Sequence, residues 1–242
     1  NEEAKEALSA LETIYKEMNR PDEYFTFLET VPGYKVTTAA RDSVTYQTAE
    51  YQYERGQYTQ AVEGFTTYLT KYPNGREALG AAFYRGESYA ALTRYPEAMK
   101  DYSAVVAKGP SRYYSKAAEK SSLIAYNTLK DYGLGYEMAR KWEESAVSAT
   151  SRFDAQIVAM ESAYKANNSV ATVEYANKVI VSGSASAEQS AKANYYVAKL
   201  AYDRGDYTKA YPSLEKVTQN SQSEIMAEAY HYMCQIQYRQ KR

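Results

Sequence analysis

The sequence predicts an all-α solenoid of about five helical hairpins followed by one terminal helix, and three observations lead there. Apolar residues recur at 3- and 4-residue steps. A pattern of Gly, Tyr, Ala and a further large residue returns at a fixed interval. Tyrosine dominates the aromatic content, with 28 Tyr against 5 Phe and 1 Trp. A Tyr joins a large apolar ring to a hydroxyl that needs a partner, so it suits shallow cores whose side chains reach the surface, whereas a thick closed core favours Phe and Leu.

Residues 3–31 read as two helices joined at Asn19-Arg20-Pro21-Asp22, with Pro where the first turn of a helix tolerates it. Val31-Pro32-Gly33 opens a loop to about Thr37, the one plausible linker. The sequence therefore divides into an atypical, capping hairpin over 1–36 and a repeat array over 37–242. The acidic excess of the first 50 residues, 10 acidic against 5 basic groups, suits an end unit whose outer face meets water.

The most legible unit is 46–75. Ala49 and Tyr53 form the apolar face of a first helix, Gly56 supplies the positive φ that stops it, and Tyr58, Ala61, Val62, Phe65 and Leu69 continue as a second. Pro73 and Asn74-Gly75 close the unit. The small Ala61 lets the two helices approach within roughly 8–10 Å. The same pattern returns at Tyr95, Ala98 and Tyr102, and again at Gly205, Tyr207, Ala210 and Leu214. From Tyr58 to Tyr95, and from Pro73 to Pro110, the interval is 37 residues.

Two fainter copies lie between. One runs through Leu123, Tyr126, Tyr132, Gly135 and Ala139 to Trp142. The other runs through Ile157, Tyr164, Val170, Val173 and Ile180, with its turn at Asn167-Asn168 and Val173 in the small-residue position. Residues 223 to about 240 read as a first helix without a second. Met226, Met233 and Ile236 would leave its apolar face partly uncovered, which implies a piece of a longer chain.

The spacing of large, small and aromatic residues resembles the tetratricopeptide repeat, a helix-turn-helix unit of about 34 residues, over roughly residues 38–242. The resemblance implies a right-handed α–α superhelix. The Tyr-rich repeats closed by Tyr-Pro-Asn-Gly look like the bacterial envelope branch of that family, which implies a non-enzymatic scaffold in the periplasm or at the outer membrane, with a lipid anchor upstream. The alternatives are a cytoplasmic adaptor or co-chaperone-like module gripping acidic peptide tails, and a regulatory segment of a larger protein.

Composition narrows the function further. A net charge of −1 gives no electrostatic reason to expect nucleic acid. No apolar run approaches the ~18 residues of a membrane span. The single cysteine, Cys234, cannot form an internal disulfide, and with His231 it makes a two-ligand set too small for zinc. Ser162-Ala-Tyr-Lys165 and Ser213-Leu-Glu-Lys216 lack the companion motifs that Ser-x-x-Lys chemistry requires. The expectation is no catalytic residue, no metal and no cofactor.

In tetratricopeptide proteins the first helices of successive repeats line a groove. By position, the resemblance places Tyr46, Glu50, Tyr53 and Glu54 there, then Phe83 and Glu87. The middle units add Lys120, Asn127 and Lys165, and the last full one Lys192, Tyr195, Lys199 and Tyr202. Such a groove would be acidic and aromatic at its N-terminal end and basic at its C-terminal end, orienting an extended or helical segment of a partner protein.

Overall fold

The structure, a computed structural model, describes residues 2–220 and 224–240. All regular secondary structure among those residues is helical, with no strand. They fall into two compact units, Asn1–Ala117 and Ala118–Arg242.

The first unit holds α1 (Glu2–Glu17), α2 (Pro21–Thr30), α3 (Thr38–Glu54), α4 (Tyr58–Lys71), α5 (Ala78–Ala91) and α6 (Tyr95–Ala107). Each helix packs on the next, and α3 also packs on α1 and α5. The second unit begins within α7 (Tyr114–Ile124), whose end opens into a π-helical turn (Ala125–Leu129). It continues through α8 (Tyr132–Ser145), α9 (Ala149–Lys165), α10 (Ser169–Val181), α11 (Ala187–Asp203), α12 (Tyr207–Asn220) and α13 (Glu224–Gln240). From α8 to α13 each helix again packs on its successor. The start expected for the terminal helix, residue 223, lies outside the described residues.

One turn, used six times, sets the hairpins. Asn19, Gly56, Thr93, Lys130, Asn167 and Gly205 all have φ between +56° and +75°. They lie 37 residues apart, the last interval being 38. After five of them the next amide donates to a carbonyl five residues back at 2.8–2.9 Å, as in Gln57 to Gln52 and Asp206 to Ala201; after Lys130, where the helix ends in a π-turn, Asp131 reaches Ala125, six back, at 3.0 Å. This 6→1 bond ends the first helix in a left-handed residue and starts the second in a constant direction. Only two of the six are glycines, so Gly alone does not reveal the series.

The turn fixes which residues of each second helix point inward. The fifth residue after it is Tyr24, Ala61, Ala98, Gly135, Thr172 or Ala210, all buried, and the ninth is Leu28, Phe65, Tyr102, Ala139, Ala176 or Leu214, all buried too. Register in the fourth repeat therefore differs from the sequence expectation by one residue. Thr172, fully buried with its hydroxyl donating to the Asn168 carbonyl at 2.8 Å, holds the small-residue position, and Val173 is only half-buried. A threonine that satisfies its own hydroxyl locally can replace Ala there.

The terminal helix also differs from expectation. Ile236 is fully buried in the core shared with Leu214 and Val217, and Met233 packs against that core. What α13 exposes is instead Tyr230 and Tyr238. α3 and α4 also come close one turn beyond Ala61, at Gly64. A Cβ there would sit 2.8 Å from the Ala49 Cβ and 3.1 Å from its Cα, so the pair as packed admits only glycine at this position.

We expect Gly64→Ala to force α3 and α4 apart and to lower stability by about 1–3 kcal/mol, as Ala61→Leu and Ala98→Leu should at their own seams. Gly56→Ala, whose new Cβ meets nothing within 4 Å, should cost about 1–2 kcal/mol through backbone strain alone. Urea unfolding checks both, and an unchanged midpoint for Gly64→Ala would contradict the packing described here.

Candidate interaction surface

The first helices of the hairpins carry every residue that the sequence assigned to a groove. In the first unit, α3 brings Tyr46, Glu50, Tyr53 and Glu54 to successive turns, and α5 brings Phe83 and Glu87. Tyr46 and Phe83 are 5% and 7% exposed, so these rings fill cores rather than face a ligand. The Tyr46 hydroxyl donates to Glu50 Oε1 at 2.9 Å, and burial with the Glu50 charge beside it pushes the Tyr46 pKa up. Glu87 accepts from the Tyr102 hydroxyl across the α5–α6 seam. Tyr53 is half-buried, its ring 4.9 Å from that of Tyr84, and burial raises its pKa to about 12. Glu54 is exposed.

In the second unit, Lys120 is half-buried and Asn127 projects, exposed, from the π-helical turn. Lys165 is exposed, its ammonium 5.3 Å and 5.2 Å from the ring centres of Tyr126 and Tyr132. Lys192 pairs with Glu161 at 2.6 Å, and Lys199 with Asp203 at 2.5 Å. Tyr195 is buried and donates to Glu228. Tyr202 lies half-buried against Tyr232, at 4.7 Å between ring centres, with its hydroxyl on Gln235. Two of the lysines expected to make this end basic thus already hold carboxylates. The charge they present is that of a pair, not of a bare cation.

Sequence reasoning did not find the carboxylates that answer the tyrosines. Tyr24 donates to Glu12, Tyr68 to Asp42 at 2.6 Å, Tyr126 to Glu161 and Tyr175 to Glu143 at 2.8 Å. The partners lie up to 35 residues away, so no local motif marks them. Glu143 gathers most: Gln156 at 2.8 Å, Tyr175, and Lys178 at 3.0 Å. Burial alone would raise its pKa, but these donors outweigh it and hold the carboxyl below its ordinary value.

Other ligand chemistry has little to stand on. His231 and Cys234 are both exposed on α13, the His ring nitrogen 2.7 Å from the Gln235 amide. Among the described residues no group of three or more His, Cys, Asp or Glu could hold a metal ion, and no helix is long and apolar enough to cross a membrane.

Residues 44–75 match the tetratricopeptide repeat family. No curated protein sequence matches the chain. Among solved structures, MamA of strain AMB-1 is 14% identical, with a TM-score of 0.50, covering 77% of this chain and 96% of its own. A tetratricopeptide repeat protein from Parabacteroides merdae is 15% identical at a TM-score of 0.48, over 98% of this chain and 86% of that one. PilW, a type IV pilus biogenesis factor, is 14% identical at 0.41, over 84% and 94%.

Glu143 supplies a pH dependence with a definite sign. A carboxyl held below its unfolded value near 4.5 stabilises the fold at neutral pH, and that contribution is lost as pH falls through the folded pKa. Glu143→Gln should lower the melting temperature at pH 7 and flatten its fall between about pH 5 and 3. Thermal melts of both proteins across that range check it, and parallel curves would exclude the role.

Proposed function

We propose that this tetratricopeptide-repeat chain is a non-catalytic scaffold that binds a peptide or helix of a partner protein along the first helices of its hairpins. One observation carries the reading. On these helices half-buried tyrosines stand beside charged groups at the surface, Tyr53 next to Glu54 in one unit and Tyr202 one turn from Lys199 in the other. A ring held in place by its own core costs little entropy when it anchors a ligand, and neighbouring charge sets orientation and on-rate. The residues available for contact are Glu50, Tyr53, Glu54 and Glu87 in the first unit, and Lys120, Asn127, Lys165, Lys192, Lys199 and Tyr202 in the second. Tyr46, Phe83 and Tyr195 support them from beneath.

The reading includes a bacterial envelope location, with a lipid anchor upstream. It rests on the likeness of the Tyr-rich repeats to envelope members of the family. Cell fractionation tests it, and recovery in the cytosol alone would refute it.

Site-specific photocross-linking tests the binding face. Probes at the exposed Glu54 and Asn127 should each capture one common partner, while probes at the exposed Glu63 of α4 and Lys100 of α6 should not. Capture from α4 and α6 alone, or equally from all four, would overturn the assignment of binding to the first helices.

A further inference from the structure

The surface of the second unit holds an aromatic cage that the chain fills with its own lysine. Tyr126, on the π-helical turn, and Tyr132, the first residue of α8, meet edge to face with ring centres 5.8 Å apart. The Lys165 ammonium lies within 5.3 Å of both rings. At such distances the negative faces of the rings attract a cation. The Tyr126 hydroxyl donates to Glu161, whose side chain is only 16% exposed and also holds Lys192.

The rings do not depend on their occupant. Tyr126 is anchored through Glu161 on α9. Tyr132 is placed by the left-handed Lys130 and by the first turn of α8, where the Asp131 side chain caps the Leu134 amide at 3.0 Å. Lys165 is the last residue of α9, on an exposed four-carbon tether that can swing away without breaking a helix. π-Helical turns concentrate at functional sites, because the inserted residue re-aims a side chain at a cost to the helix. Here that turn carries one wall of the cage.

We propose that the Tyr126–Tyr132 pair is an alkylammonium-binding site, closed in the free protein by Lys165 and opened when a ligand ammonium takes its place. The group comes either from a partner's lysine side chain or from a free methylated amine, which share this chemistry. A methylated ammonium is less strongly hydrated than Lys165, so it gives up less on entering the cage. The site does not depend on the scaffold reading, because a small free amine would fill it equally well.

The test is a titration of protein carrying labelled tyrosine rings with tetramethylammonium and, separately, with n-butylammonium. Tyrosine ring signals are followed by NMR, with sodium chloride at matched ionic strength as the blank. Lys165→Ala should show saturable shifts of Tyr126 and Tyr132 and bind several-fold more tightly than the unaltered chain. Adding Tyr132→Leu should abolish the shifts, and Tyr132→Phe, which keeps the ring face, should preserve them. Tighter binding of tetramethylammonium identifies a methylated amine as the source, and equal or tighter binding of n-butylammonium identifies a lysine side chain. Absence of saturable shifts in Lys165→Ala, or their persistence in Tyr132→Leu, would overturn the proposal.

Discussion

The structure depends on hydrogen-bonding the hydroxyls of buried tyrosines. A chain with 28 Tyr that folds into thin stacked hairpins must place many phenols where water does not reach. A buried hydroxyl without a partner costs about 1–3 kcal/mol. The recurrent answer is a carboxylate from another helix: Glu12 for Tyr24, Asp42 for Tyr68, Glu87 for Tyr102, Glu161 for Tyr126, Glu143 for Tyr175 and Glu228 for Tyr195. Each such bond crosses a helix seam. Hydrogen bonding and packing therefore specify the same neighbours, and a slipped register would lose both together.

Charge at the surface follows from the same constraint. Some of the carboxylates that answer tyrosines recruit lysines in turn, as Glu161 does with Lys192 and Glu143 with Lys178, and these two are only 16% and 14% exposed. Arg85 shows the rule without a tyrosine. Its guanidinium forms a two-pronged bond with Asp101 at 2.7 and 2.8 Å and reaches Thr66 on α4 at 3.2 Å. A residue-by-residue charge count of a helix face therefore overstates what a ligand meets. Lys178 and Lys199 each lie against one tyrosine ring as well as a carboxylate, whereas Lys165 lies against two rings, those of Tyr126 and Tyr132.

Much of the fold was legible because the repeated turn leaves a periodic trace. Tyr58, Ala61 and Phe65 recur as Tyr95, Ala98 and Tyr102, and at Tyr207, Ala210 and Leu214. The inward positions of a second helix are set by its distance from the turn, which is a local property. The trace fades in the fourth repeat. There Asn167 takes the positive φ that Gly takes at 56 and 205, and Thr172 replaces Ala by bonding its own backbone. Thr93 and Lys130 hide the turn further, since neither residue type favours the left-handed region.

Sequence by itself determined the helical class, the hairpin period and the identity of most inward residues of the second helices, because these follow from spacing within one helix and its adjoining turn. Tertiary structure decided the partners. Gly64 meets Ala49 across the α3–α4 seam, Glu161 answers a tyrosine 35 residues before it, and Lys165 comes to lie on two rings from other elements. Those outcomes depend on how side chains meet across a seam, and distance along the chain carries no record of that.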